Sequence, residues 1–232
     1  MSSTTKQYAL VPLVQAEDVA AATTPVAGEA PLARVVRSVH HAVAQEDVVV
    51  ATSPALVTAV EECLRVADLA TGVAVTRGPG SRRHVIRAGL EYLDVAPHAS
   101  ASVLICDHRY PLSSGVVADA VLTALAGGGE VVVPVLAVTD TVKTVDELGS
   151  VLSTVDRASL RTVQYPRGFT AVTLWQLVTE VEPTALEGLD EFEAALRAGL
   201  EVGVVAGDPG AIRVELPRDA HLLEAVIAGR CD

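Results

Sequence analysis

The side chains that could do chemistry in this sequence do not form a hydrolytic arrangement. No Ser/His/Asp or Cys/His grouping stands out, and the three cysteines, Cys63, Cys106 and Cys231, are scattered without metal-ligand spacing. Of the 17 basic residues only Lys6 and Lys143 are lysines, and Lys6 lies in a polar N-terminal stretch. Chemistry that requires a lysine therefore depends on Lys143.

The candidate ligand-binding loops are the stretches that directly follow predicted strands. They are Leu13–Asp18, Gly78–Arg83, Asp107–Tyr110 and Thr139–Lys143. In open α/β sheets, ligands bind in the crevice at the carboxyl ends of the strands. We therefore expect the functional side chains in these four loops.

The elements that must position these loops alternate along the first 138 residues, with short β-branched runs followed by amphipathic segments. The predicted strands are Tyr8–Val14, Val48–Ala51, Val73–Thr76, Ser102–Cys106 and Val131–Val138. The predicted helices are Pro31–Val43, Pro54–Ala67, Ser81–Leu93 and Ser113–Ala126. Continuous apolar strands joined by helices indicate an α/β fold with a mostly parallel sheet covered on both faces.

The pattern changes after Thr139, where short β-prone pieces without a long helix predict a projecting β-arm over 139–169. Helices are predicted again at Ala171–Glu180 and Leu186–Gly199, then a strand pair at Glu201–Val205 and Ala211–Glu215, and a last helix. No repeat, low-complexity tract or linker divides the chain. We therefore expect a single domain over 1–232.

The composition excludes several classes of function. Half of the residues are hydrophobic, 20% are charged, and the formal net charge is −12, so the chain is not expected to bind nucleic acid or an anionic membrane. The longest apolar stretch, Val131–Val138, is far shorter than the roughly 20 residues that span a bilayer. Scattered cysteines predict reduced thiols in a cytoplasmic protein.

The arm region carries four motifs that resemble those of a known family. They are Val133-Pro134-Val135, Asp140-Thr141-Val142-Lys143, Thr154-Val155-Asp156-Arg157 and Tyr165-Pro166-Arg167-Gly168-Phe169. The stretch is similar to the arm of 2-C-methyl-D-erythritol 4-phosphate cytidylyltransferases of the non-mevalonate isoprenoid pathway, and a weaker match runs from Tyr8 to the C-terminus. The resemblance implies a Rossmann-like nucleotidyltransferase fold, an arm-mediated homodimer, Mg²⁺, and the reaction of CTP with methylerythritol phosphate to give CDP-methylerythritol and pyrophosphate.

The resemblance also assigns site residues. It places nucleotide binding at Pro12, Arg82, Asp107 and Arg109, with Mg²⁺ at Asp107, and catalytic roles at Arg157, Asp190 and Arg213. Structural alternatives stay open: Asp107 as a strand-end cap, Arg157 and Arg213 as surface salt bridges, and an Asp140–Lys143 ion pair at the base of the arm. Any bound anion is expected on the side of Arg82, Arg157 and Arg213.

The first loop departs from the family pattern Pro-Ala-Ala-Gly-x-Gly-x-Arg followed by Pro-Lys. Gln15 and Glu17 replace the glycines, Val19 replaces the arginine, and Val26 replaces the lysine. Side chains stand where backbone must approach phosphate, and both cations are lost. Tyr165 also stands where the family has threonine, which would crowd the substrate pocket.

These departures predict weak CTP binding and weak or lost activity. The alternatives are a non-catalytic paralogue that acts as a binding or assembly protein, or a transferase that uses a different nucleotide or substrate.

Overall fold

The computed structural model describes residues 5–78, 80–179 and 190–230 of the chain. Over these ranges strands and helices alternate as the sequence pattern predicts. The strands are β1 Lys6–Pro12, β2 Val48–Thr52, β3 Gly72–Val75, β4 Ala101–Ile105, β5 Val131–Ala137, β6 Lys143–Val145, β7 Val151–Thr154, β8 Arg161–Val163, β9 Arg167–Thr170 and β10 Val202–Ala206. The helices are α1 Ala16–Thr23, α2 Pro31–Val39, α3 Val57–Val66, α4 Arg82–Tyr92, α5 Gly115–Ala126, α6 Ala171–Thr179, α7 Glu191–Arg197 and α8 Ala220–Ala228.

The central sheet has the strand order β10-β5-β9-β4-β1-β2-β3, with β8 pairing beside it on β5. The pairs β1–β2, β1–β4, β2–β3 and β5–β10 are parallel, whereas β9 runs antiparallel to both β4 and β5. The mostly parallel α/β architecture is confirmed. Strands such as β2 are buried along their whole length because helices cover both faces of the sheet.

Two helical layers build two apolar cores. One core contains α1, α2, α3 and α5, with side chains such as Val36, Leu64 and Val121 against the sheet. The other contains α4, α6 and α7, with Ile86 and Leu174 fully buried. Among the described residues, no helix is both long and apolar enough to cross a membrane.

The arm appears as the antiparallel hairpin β6–β7, which pairs Lys143 with Thr154. Strand β8 lies along the end of β5 and completes the base of the arm. Strand β9, by contrast, is inserted between β4 and β5, and Phe169 on it is fully buried. The projecting part is therefore shorter than the predicted segment 139–169.

Two local predictions fail for physical reasons. A loop is predicted over Leu13–Asp18, but α1 begins at Ala16, because Glu17 and Asp18 favour a helix N-terminus and Val19 packs into the core. Ala211–Glu215 does not pair with β10, because Val214 donates its backbone N–H to the carbonyl of Arg109 instead, at 2.8 Å.

Some predicted boundaries fall on residues that are not described. The end of the helix predicted at Ala171–Glu180, the start of the one predicted at Leu186–Gly199, and Cys231 lie outside the described ranges. Cys63 and Cys106 are buried free thiols.

Candidate functional site

Several of the predicted site residues come together at the carboxyl edge of the sheet. Tyr165 is buried at the centre, with the Arg167 guanidinium 4.2 Å from its ring and the Tyr110 ring 5.3 Å away. Arg167 is ion-paired with Asp190, at 2.6 Å. Asp107 and Arg109 lie in the loop after β4, Arg82 begins helix α4 beside this centre, and Arg213 precedes the residue that bonds to Arg109.

Arg157 is the predicted site residue that the chain does not bring to this region. It lies exposed at the base of the arm and donates a hydrogen bond to the carbonyl of Thr139. Arg213 is about half exposed and ion-paired with Glu215. Pro12 ends β1 in register with Ala51 and is buried.

The Asp107 carboxylate accepts hydrogen bonds from three N–H groups of Arg109. It accepts the Arg109 backbone N–H at 2.9 Å, Nε at 3.0 Å and Nη2 at 2.6 Å. Burial alone would raise the pKa of Asp107, but the hydrogen bonds and charge of Arg109 outweigh it and lower the pKa to about 2. Asp107 is therefore an ionised side chain that caps its own loop.

Mg²⁺ does not fit this carboxylate as the structure holds it. A divalent cation at Asp107 would have to displace the Arg109 guanidinium, and positive charge would then face positive charge. Among the described residues, no group of three or more His, Cys, Asp or Glu side chains could hold a metal ion. The Arg109 guanidinium therefore occupies the place that a metal ion would need at Asp107.

Arg82 forms a third ion pair in this region, with Glu191. Its Nε and Nη2 contact the two carboxylate oxygens of Glu191 at 2.8 and 3.1 Å, and the Glu191 side chain is only 2% exposed. Burial would lower the pKa of Arg82, but the charge of Glu191 raises it above its ordinary value. The guanidinium is fixed by a residue 109 positions away rather than presented to a ligand.

Two small cavities adjoin these groups. The cavity beside Asp107 and Tyr165 and the cavity beside Arg82 and Glu191 each measure about 10 Å³. That is room for about one water molecule, whereas small-molecule pockets typically measure about 300–1,000 Å³.

Sequence reasoning missed two residues that organise this region. Arg167 belongs to the motif Tyr165–Phe169, in which no role was predicted for it, although it is the charged residue of an otherwise neutral strand. Gln164 fixes the turn before Ala211: its amide donates to the carbonyls of Asp208 and Ala211 and accepts the Asp208 N–H, each at 2.9 Å. The sequence carries no local signal for this contact, because Gln164 and Asp208 are 44 positions apart.

The mostly parallel α/β sheet, with its antiparallel β9, matches the Rossmann-like nucleotidyltransferase fold of solved structures. The sequence profile of 2-C-methyl-D-erythritol 4-phosphate cytidylyltransferase matches residues 15–229. The chain belongs to this family.

Relatives and solved structures agree with that assignment. The 2-C-methyl-D-erythritol 4-phosphate cytidylyltransferase of Saccharopolyspora erythraea is 38% identical over 208 residues, which cover 89% of this chain and 90% of the relative. The enzyme of that name from Rhodococcus jostii is 37% identical over 157 residues, covering 67% and 66% of the two chains. A crystal structure of the same-named protein from Thermus thermophilus aligns with a TM-score of 0.72 at 25% identity, covering 96% of this chain and 99% of that one.

Proposed function

We propose that this family member has weak or lost cytidylyltransferase activity and acts as a dimeric binding or assembly protein. The observation that carries the proposal is α1, a regular helix at the position where the resemblance places a glycine-rich phosphate loop. A phosphate loop presents free backbone N–H groups to the ligand. Here the N–H of Gln15 donates to the Asp18 carboxylate at 3.2 Å.

The charge at the start of α1 also opposes a triphosphate. Glu17 and Asp18 occupy its first turn, where they complement the positive end of the helix dipole. A nucleotide would bring several negative charges to the same place. Val19 and Val26, which replace the family's arginine and lysine, are buried in apolar clusters.

Neighbouring cations are poorly placed to compensate. Arg34 donates to the carbonyls of Val26 and Ala27 and pairs with Glu29. Lys143 donates to Thr154 across the hairpin at 2.6 Å rather than pairing with Asp140.

Two further side chains near the site do not restore the lost charge. Arg83 donates to the carbonyl of Val178. Burial lowers the pKa of His108 despite the nearby Asp107, which favours a neutral imidazole at pH 7.

The competing function is the family reaction itself, CTP with methylerythritol phosphate, and two observations favour it. The Saccharopolyspora erythraea relative that bears the name is 38% identical over 90% of its length. Arg157 is also exposed on the arm, where a substrate phosphate could reach it. In that case Mg²⁺ would arrive with the nucleotide rather than through Asp107.

The free buried thiols of Cys63 and Cys106 support a cytoplasmic location for either function.

Nucleotide binding tests the proposal. We expect no increase in Tm when CTP and Mg²⁺ are added at about 1 mM, because a ligand that does not bind the native state does not stabilise it. Thermal denaturation and titration calorimetry measure this. The Saccharopolyspora erythraea relative, assayed in parallel, is the positive control. A Kd for CTP below about 100 μM would contradict the proposal.

The arm supports the dimeric part of the proposal. The hairpin exposes Val145, Leu148, Val151 and Leu152, whose exposed fractions range from 56% to 91%. A thin two-stranded hairpin cannot bury these side chains against itself. Contiguous apolar surface of this kind marks an interface, and a second copy of the same chain is the partner that the family resemblance implies.

We expect the double variant Leu148→Glu/Leu152→Glu to be a monomer and the unaltered chain to be a dimer. Placing two carboxylates in an apolar contact leaves them unpaired and desolvated. Light scattering coupled to size exclusion measures the mass. Val66→Glu, at a position 71% exposed on α3, is the matched control and should stay dimeric. A monomeric unaltered chain at micromolar concentration would refute the dimer.

A further inference from the structure

A basic surface lies in an otherwise acidic protein. Between residues 69 and 90 the sequence contains four arginines and one histidine but no Asp or Glu, although the whole chain carries a net charge of −12. Two of these cations turn inward: Arg82 pairs with Glu191 and Arg83 bonds to the carbonyl of Val178. The remaining ones, Arg77, His84 and Arg87, are exposed.

These exposed cations border a groove of about 540 Å³ along the outer side of β3 and α4. Its lining includes Arg77, His84, Arg87, Ala88 and Tyr92, and one carboxylate, that of Glu91. The groove is on the flank of the sheet, and none of its lining residues belongs to the Asp107–Tyr165 centre. Its volume exceeds that of the two cavities at the centre by far.

Strand β3 is the last strand of the sheet, and among the described strands only β2 pairs with it. Its outer edge therefore carries backbone groups without a strand partner. The sequence Gly72-Val73-Ala74-Val75 is only four residues long, but it has no charged residue or proline, which are two of the features that protect an edge from pairing. Val75 is 41% exposed.

Helix α4 lies beside this edge and lines the same groove. Its inner face, with Val85, Ile86 and Leu90, packs in the core. Ala88 and Tyr92 line the groove instead, and Tyr92 lies so close over Gly72 that a Cβ there would sit 2.5 Å from its hydroxyl. Half-exposed Tyr92 and small Ala88 thus form an apolar surface next to an open strand edge.

We propose that an extended acidic segment of a partner protein adds to β3 as a further strand in this groove. The open edge supplies backbone hydrogen bonds, Ala88 and Tyr92 receive alternate apolar side chains, and Arg77, His84 and Arg87 face the acidic ones. The charges of the groove favour an acidic partner. Arg77 has no ion-pair partner among the described residues, and Arg87 is paired with one carboxylate, that of Glu91. The inference does not depend on whether the chain turns over CTP.

The experiment uses the full chain and three fluorescein-labelled peptides of about eight residues. One alternates Glu with Val, one alternates Lys with Val, and one alternates Glu with Pro, which keeps the charge but removes half of the backbone donors. We expect saturable anisotropy changes with the Glu–Val peptide, at a Kd below about 1 mM that weakens with salt. Binding of either other peptide with equal affinity would overturn the proposal, as would no binding of the Glu–Val peptide at about 1 mM.

Variants and hydrogen exchange locate the binding. Arg77→Glu should weaken the Glu–Val peptide at least about fivefold, whereas Arg65→Glu, an exposed arginine on α3, should not. Saturation with the peptide should slow amide exchange within Gly72–Thr76. Unchanged exchange there, or equal effects of the two variants, would overturn the proposal. A change in oligomeric state with Arg77→Glu would assign the edge to a second copy of this chain and overturn it too.

Discussion

Mixed with CTP, methylerythritol phosphate and Mg²⁺, the purified chain is expected to release pyrophosphate at least about 10⁴-fold more slowly than an ordinary enzyme turnover of about 10 s⁻¹. The reaction requires fixed positive charge and backbone N–H groups at the leaving pyrophosphate. Here Val19 and Val26 are buried apolar residues, and Glu17 and Asp18 lie in the first turn of a helix. Loss of one preorganised donor typically costs about 10²–10³ in rate, and two are missing, although such effects are not simply additive.

A coupled assay of pyrophosphate release measures this rate. The Saccharopolyspora erythraea relative in the same buffer shows that the assay detects turnover, and the chain without methylerythritol phosphate gives the background. A rate within about tenfold of 10 s⁻¹ would refute the proposed loss of activity and establish the family reaction for this chain.

The parts of the fold that were predictable from the sequence are those with a strong local pattern. The runs that form β2 and β5 are mostly β-branched and apolar over their buried length, because helices cover both faces of a parallel sheet. Helix α2 begins at Pro31 and places Leu32, Val36 and Val39 on one buried face. Local propensity and burial agree in these segments.

The candidate site was less predictable because its contacts join distant residues. No local pattern pairs Arg82 with Glu191 across 109 positions. Helix α1 was missed for a different reason. The sequence from Ala16 to Thr23 has ordinary helix propensity, with alanines and an acidic first turn, but its place directly after a predicted strand and the family resemblance both favoured a loop.

The predicted strand at Ala211–Glu215 illustrates a third limit. Its alternating apolar residues fit a strand, and Val214 is indeed buried, but its hydrogen bond goes to the Arg109 carbonyl. The direction of the chain there is set by Gln164, which holds the preceding turn. Alternation predicts which side chains are buried, whereas the pairing partner is decided by contacts far along the chain.

Replacing Glu191 with Gln is expected to lower the free energy of unfolding by about 3 kcal/mol, because the Arg82 guanidinium would stay buried without a counter-charge. The Glu191 side chain is 2% exposed and that of Arg82 21%, so solvent compensates little for the lost carboxylate. Guanidinium chloride unfolding at pH 7 measures the change. Glu91→Gln removes the partner of Arg87 on the same helix, where both side chains are about half exposed, and should cost less than about 1 kcal/mol.

A double variant separates the ion pair from the packing around it. Arg82→Met/Glu191→Leu removes both charges while keeping apolar volume, and it should recover most of the stability lost in Glu191→Gln, because the cost of a broken buried pair is the remaining unpaired charge. If Glu191→Gln and Glu91→Gln destabilised the chain equally, Arg82 would have to find another partner or reach solvent. That guanidinium would then be available to a ligand, which is the role that the pairing with Glu191 now prevents.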